Sequence, residues 1–348
     1  MKSIGAALLA GAIAVTMYAA IGAPAKGDET ISGEWRASYS ESRDVFRFEA
    51  RVHTATSNSN WSESNSLSEF RARHVCDDQL GKRDVHCDVN REAGTVTLDG
   101  HFNGDSGSGT FTFRCKEDFR HTMSGLGYSG ISLDECFEFA RHNIESSYVQ
   151  QVKSTSLGHI ALDQFVNLSV HQVPIDYLKT MVNSVSGNPG ADDVVNLRIH
   201  GVTTDYAHQM SDQGLGKLSA DDLVNLKIHG AEPEMAGALH ALGYQRVSAD
   251  EMVNLRIHDV RPDFARGLAD LGVRRPDLDD LVNLRIHGVT IEFVKGFREA
   301  GYDHLSADDL VNFRIHGVTP EWVKDMQGRG YKNVSPDDLV EMRIHGVH

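Results

Sequence analysis

The strongest constraint on this chain is an eight-residue phrase, Leu-Val-Asn-Leu-Arg-Ile-His-Gly, that returns almost unchanged at a fixed interval. It stands at Val194–Gly201, Leu223–Gly230, Met252–Asp259, Leu281–Gly288, Leu310–Gly317 and Leu339–Gly346. Its histidines, His200, His229, His258, His287, His316 and His345, are 29 residues apart. The same interval counted towards the N-terminus reaches His171 and His142 in weaker copies. About eight copies over roughly residues 117–348 are the signature of stacked supersecondary units.

One clear unit runs from Ser306 to Val334. Ser306-Ala307-Asp308-Asp309 is a capping box, in which the Ser side chain caps the first turn and Asp309 reaches back. Leu305 and Leu310 flank it as a hydrophobic staple. The helix then carries Leu310, Val311, Phe313 and Ile315 as its apolar set and stops at Gly317, which suits a left-handed C-terminal position. Thr319-Pro320-Glu321 opens a second helix with a cap, a first-turn Pro and a first-turn acid. Trp322, Val323 and Met326 form its apolar face, and Gly330-Tyr331 closes it. Helices of about ten residues are marginal alone in water, so stacking must supply the core, as in a solenoid. Glu138 and Glu341 replace the Asn of the inner copies in the outermost ones, which fits capping repeats. The final unit stops after a first helix, so an oligomer through this open end is one expectation.

Residues 26–116 read as strands: Ile31–Tyr39, Val45–His53, Leu67–Val75, Val85–Asn90, Gly94–Phe102 and Gly109–Cys115, with partial alternation of apolar and polar residues in Val45–His53 and Thr95–Phe102. Asn103-Gly104-Asp105-Ser106-Gly107-Ser108 is a hairpin turn, and the Ser/Asn-rich Thr56–Asn65 reads as an exposed loop. The expected domain is a small antiparallel sandwich or barrel of about six strands. The predicted fold class is therefore α+β. A small β domain, 26–116, precedes an α-solenoid of about eight 29-residue helix hairpins, 117–348.

Residues 1–25 read as a secretory signal, with Lys2, an apolar run Ile4–Gly22 and the small-residue site Ala23-Pro24-Ala25. The alternative is an uncleaved membrane anchor, so membrane attachment is expected only in that case. Periplasmic or secreted localisation follows. The cysteines, Cys76, Cys87, Cys115 and Cys136, cluster within one stretch, and in an exported chain this suggests two disulfides. Three pairings are possible. The favoured one is Cys76–Cys87 with Cys115–Cys136, the latter tying the last strand to the first motif helix, where Cys136 replaces the first Leu of the motif. Reduced, buried cysteines are the alternative. Zinc is disfavoured because no Cys-x-x-Cys pair is present.

The formal net charge is −15. From residue 117 onward 21 Lys and Arg stand against 34 Asp and Glu, a balance of −13. An acidic array repels phosphates, so nucleic acid is excluded as a partner class.

Three ladders run through the repeats: Asn225, Asn254, Asn283 and Asn312; Arg285 and Arg314 with their equivalents, including Lys227; and the histidines His229, His258, His287 and His316. Metal–nitrogen bonds are near 2 Å, whereas stacked helices lie roughly 8–10 Å apart. Successive histidines therefore cannot share one ion, and their expected role is to satisfy the last carbonyls of their helices. The bases lie at the edge of the apolar arc and need partners. The candidates are the first-turn acids Asp205, Glu234, Asp263, Glu292 and Glu321, or the Asp pair opening a neighbouring unit, which would make an internal ion-pair ladder. The amides are expected to bond to backbone or to the His one turn later, with a ligand groove as the alternative. Aromatic and Met positions on the second helices, such as Tyr206, Met235, Phe264, Phe293 and Trp322, vary between copies.

Signatures of zinc peptidases, nucleophile elbows, P-loops and dinucleotide sites are missing from the sequence. The chain reads as non-enzymatic, with no cofactor. Its repeats, with Leu-Ser-Ala-Asp-Asp-Leu-Val-Asn-Phe-Arg-Ile-His-Gly-Val-Thr-Pro-Glu at their clearest, resemble short repeats of bacterial exported proteins. They also resemble the C-terminal extracellular region of some membrane metallopeptidases of the β-lactam sensor/antirepressor type. The segment from Gly33-Glu34-Trp35 through Gly109-Thr110-Phe111-Thr112-Phe113 is similar to the β-rich piece preceding such repeats. This chain lacks their membrane bundle and peptidase motif, so the resemblance implies a detached extracytoplasmic, regulatory module and transfers no site residues. The functional expectation is a scaffold for a protein partner, using the solenoid surface. The alternative is a small-ligand sensor with the β domain as receptor and the repeats as relay.

Overall fold

A computed structural model of the chain describes residues 30–39, 45–53, 58–66 and 84–347. The expected signal segment 1–25, the expected strand Leu67–Val75 and Cys76 lie outside the described residues.

The architecture is an antiparallel sheet followed by a helical region. The strands are β1 (Thr30–Tyr39), β2 (Val45–His53), β3 (Asn58–Ser66), β4 (Asp84–Asn90), β5 (Gly94–Asn103) and β6 (Ser106–Cys115), in the order β3-β2-β1-β6-β5-β4. Gly104 opens the two-residue β5–β6 turn at φ 65°, a conformation that glycine adopts without strain. β3 overturns the loop expected over Thr56–Asn65. An edge strand needs a partner on one side only, and backbone hydrogen bonds are indifferent to its Ser/Asn-rich composition.

The sheet buries one face and exposes the other, as a single antiparallel layer does. Ile31, Trp35 and Ala37 on β1 point inward with Phe48, Ala50 and Val52 on β2 and with Phe111 and Phe113 on β6. Trp35 anchors this face. It lies opposite Gly109, which lies opposite Gly100, so no side chain stands between the indole and the two neighbouring strands. A Cβ at Gly100 would come within 2.4 Å of the indole. The indole Nε1 donates to the carbonyls of Asp99 and Thr110, both at 3.1 Å, and the ring packs on Phe48 and Phe102. Among the described residues no second sheet covers this face, in place of the expected sandwich or barrel. The first motif helix covers it.

The helices are α1 (Glu117–Gly125), α2 (Leu133–Arg141), α3 (Ser146–Lys153), α4 (Leu162–Val170), α5 (Ile175–Ser184), α6 (Ala191–Ile199), α7 (Thr204–Met210), α8 (Ala220–Ile228), α9 (Pro233–Ala241), α10 (Ala249–Ile257), α11 (Pro262–Asp270), α12 (Leu278–Ile286), α13 (Ile291–Glu299), α14 (Ala307–His316), α15 (Pro320–Gly328) and α16 (Pro336–Ile344). A π-helical turn, Ser211–Leu215, extends α7. The even-numbered helices carry the motif, and each packs on the next even helix; the odd-numbered helices pack likewise on one another. In α14 the box forms as read. Ser306 Oγ accepts from Asp309 N at 3.1 Å, Ser306 N donates to Asp309 Oδ2 at 2.9 Å, and Gly317 closes the helix at φ 70°. Asn143, Gln172 and Asp259 hold the same left-handed position in their copies, at φ 50°, 50° and 51°.

α2 joins the two regions. Its Phe137 lies over Phe111 and Phe113, with ring centroids 6.0 and 5.1 Å away, and Cys136 is bonded to Cys115 at the end of β6. Cys87 is also disulfide-bonded. The buried apolar residues form one continuous cluster from Ile31 to Leu339, so the sheet and the helical region share a core.

Candidate functional site: the outer face of the motif helices

Most motif helices begin with two acids that have separate tasks; in α4 Gln164 stands in the second place. The second acid caps: Asp222, Asp280, Asp309 and Asp338 each take part in the box with the residue at the N-cap. In α8, α10, α12 and α14 the first acid, Asp221, Asp250, Asp279 or Asp308, is exposed. Four residues after the first acid comes the motif Asn, and three further on the motif Ile. A spacing of i, i+4, i+7 puts all three on one helical face.

The sequence grouped Ile315 with the apolar set of its helix, and the structure places it on the outside. Ile199, Ile228, Ile257, Ile286, Ile315 and Ile344 are between 52% and 61% exposed, and Val170 holds the same place in α4. The inward arc is already filled by Ala307, Leu310, Val311 and Phe313 and their equivalents. At 100° per residue Ile315 falls beyond that arc. Single exposed apolar residues need no explanation, but a contiguous row does.

The amides stand beside this row. Asn167 Nδ2 donates to Asp192 Oδ1 at 3.1 Å. The side-chain amides of Asn196, Asn225, Asn254, Asn283 and Asn312 make no hydrogen bond among the described residues, and none of their atoms is shut off from solvent. Two of the histidines use the backbone. His229 Nδ1 donates to the Asn225 carbonyl at 2.9 Å and His287 Nδ1 to the Asn283 carbonyl at 3.0 Å. His258 and His316 occupy the equivalent helix ends. The expected bond between the Asn amide and the His ring does not form at Asn225 or Asn283, where the ring turns to the backbone of its own helix.

The basic ladder has other partners than the expected first-turn acids. Every ladder base but Arg256 reaches back 21 residues to the ring of the preceding odd helix. Arg198 lies 5.6 Å from Tyr177, Lys227 4.5 Å from Tyr206, Arg285 5.4 Å from Phe264, Arg314 4.3 Å from Phe293 and Arg343 5.3 Å from Trp322. The guanidinium then meets the preceding helix end. Arg314 Nε donates to the Gly288 carbonyl at 2.8 Å and Arg343 Nε to the Gly317 carbonyl at 3.1 Å. Among the described residues, a ladder base pairs with an acid in the copy where Asp259 replaces Gly, Arg285 with Asp259 at 3.0 Å. Arg256 is the odd member: Met235 stands where the ring would be, and the Arg256 Nε is buried without a partner.

Tyrosines tie units in the other direction. The hydroxyls of Tyr148, Tyr177 and Tyr206 donate to the carbonyls of Val173, Val202 and Ala231, each 25 residues on. Burial pushes the Tyr148 and Tyr177 hydroxyls up to about 12 and raises Tyr206 further. At the first copy Glu138 replaces the Asn. Burial pushes its carboxyl up, but the His142 hydrogen bond and the charges of Arg141 and His142 outweigh it, so the carboxyl sits below its ordinary value.

A second feature is a cavity of about 80 Å³ between the sheet and α2, lined by Phe48, Ala50, Val89, Leu98, Phe111 and Phe137. β2 and β4 both line it although three strands separate them, so the sheet curls into a cup under α2. Among the described residues no group of three or more His, Cys, Asp or Glu is placed to hold a metal ion. Comparison of the chain with family models and with curated proteins finds no match.

Proposed function

We propose that the chain is a non-enzymatic, extracytoplasmic α-solenoid that serves as a protein-binding scaffold or regulatory module. The repeat resemblance points to the same class. The observation that carries the reading is the row of exposed isoleucines on successive even helices, flanked by unpartnered amides. A folded chain gains nothing by leaving the same apolar side chain outside in copy after copy, whereas a partner that covers the row gains about 25 cal/mol per Å² of apolar surface removed from water. The Cys115–Cys136 bond is compatible with an oxidising compartment. No helix of the described residues is long and apolar enough to cross a membrane.

The test is capture from an envelope extract of the source cell, using the mature chain and the triple variant Ile228→Ser, Ile257→Ser, Ile286→Ser as baits. Exposed positions should tolerate the change within about 0.5 kcal/mol each. Loss of a captured protein at an unchanged melting temperature is the expected result. Capture of the same proteins by both baits would sink the reading.

The cavity under α2 favours a second reading, a sensor that takes a small apolar ligand in the sheet and relays through α2 to the helices. Here the melting temperature would rise with short-chain or aromatic compounds, and filling the cavity with Ala140→Leu would abolish that rise.

A further inference from the structure

The three rows of the even-helix face define the kind of partner that fits it, an inference that rests on the scaffold reading. Along each helix the exposed Asp, the Asn and the Ile follow one another at about 6 Å and about 4.5 Å, from a rise of 1.5 Å per residue. Because each even helix packs on the next, these positions become three parallel rows across the array: an acidic row, an amide row and an apolar row. Asn196, Asn225, Asn254, Asn283 and Asn312 form the central row.

The amide row selects the backbone of the occupant. A carboxamide offers both donors and an acceptor. An α-helix laid across the face has already satisfied its own N–H and C=O groups and would leave the amides unpaired. An extended chain presents both groups and can pair with each amide in turn. The spacing selects the type of extended chain. Neighbouring packed helices lie roughly 8–10 Å apart. A polyproline-type chain has three residues per turn at 3.1 Å each, about 9 Å, so the same side of the chain returns at every helix. In a flat β-strand alternate residues face opposite ways, and three residues do not return to the same side.

The outer rows select the side chains. Asp221, Asp250, Asp279 and Asp308 make no hydrogen bond or ion pair among the described residues, and the region is acidic overall. They call for cations on one side of the chain, and the isoleucines call for apolar groups on the other. We propose that this face binds an extended, polyproline-type segment of a partner polypeptide. In each turn of three residues the segment would place a cationic side chain on the Asp row, an apolar side chain on the Ile row and its backbone on the Asn row.

The mature chain should be titrated with synthetic peptides: Lys-Leu-Pro repeated six times, the same peptide with Glu for Lys, the same peptide with Ser for Leu, and a Lys/Leu peptide of equal length patterned as an amphipathic helix. The first should bind at least tenfold more tightly than the other three. Its affinity should fall several-fold between low and physiological salt, since exposed charges are screened. The triple variant Asn225→Ala, Asn254→Ala, Asn283→Ala should lose at least tenfold at an unchanged melting temperature. The peptide series uses the unaltered protein, so it decides the matter even if the variant folds poorly. Equal binding of the Glu peptide, stronger binding of the helical peptide, or binding to phosphatidylcholine vesicles with no peptide bound would overturn the proposal. If no extended peptide binds while the Ile variant still loses its captured partner, the peptide assignment falls and the scaffold stands. If the Ile variant captures everything the parent does, both fall.

Discussion

The sheet and the helical region are held together by opposite strategies. In the sheet, one indole gathers three strands: Trp35 sits over Gly109 and Gly100 and bonds to carbonyls 64 and 75 residues away. In the helical region no single contact dominates. The same few links recur, a base to a ring 21 residues back and a tyrosine hydroxyl to a carbonyl 25 residues on. A central anchor makes stability concentrated and vulnerable, and a repeated link makes it distributed and graded. α2 belongs to both regimes, as the lid of the sheet and as the first member of the even layer.

The largest expected effect breaks the sheet side of this comparison. Trp35→Ala empties the centre of the cup and leaves two carbonyls without their donor, at a cost of about 3–5 kcal/mol. Near-ultraviolet signals of the sheet should vanish in denaturant well before helical circular dichroism declines. Simultaneous loss of both signals would show that the shared core makes one cooperative unit.

Removing the Cys115–Cys136 bond with alanine at both positions tests the junction. A loop of this span predicts a loss of about 3 kcal/mol in denaturant unfolding. A change confined to the helical signal would place α2 with the array, and a change confined to the sheet would place it with the cup.

Alkaline titration examines the tyrosine links. The hydroxyls of Tyr148 and Tyr177 are raised above their unfolded value of 10 to about 12. Their stabilisation is therefore present below pH 10 and declines as pH rises towards 12. The melting temperature should drop over that window, and Tyr177→Phe should flatten the drop. An identical profile in the variant would assign the alkaline loss to other groups.

The smallest effect mends a link. Met235→Tyr supplies the missing ring beneath Arg256 and a hydroxyl that can reach the Val260 carbonyl, by the 21- and 25-residue spacings of the neighbouring copies. A gain of about 1 kcal/mol in chemical unfolding is expected. No gain would mean that the Met235 site cannot repack around a ring.

Much of the helical region could be read along the chain because its signals are local. Ser306 with Asp309, Gly317, and Thr319 with Pro320 each act within four residues, and they set the helix ends where the structure has them. The partners of the basic ladder were hidden because Phe264 and Arg285 meet only after two helices stack. The one signal of this pairing along the chain is the constant 21-residue offset between the aromatic and basic positions. β3 was missed because pairing at a sheet edge depends on its neighbour's backbone and not on its own composition.

The sequence by itself determined the 29-residue period, the caps and the helix pairs, because capping acts over short stretches of chain. It left three cysteine pairings open, and the structure selects Cys115 with Cys136. The tertiary structure decided which way the motif faces. Ala307, Leu310, Val311 and Phe313 fill the space between helices, and once that space is full Ile315 and Asn312 are left on the outside. Periodicity tells which residues share a face, but only packing tells how much of that face the core can hold.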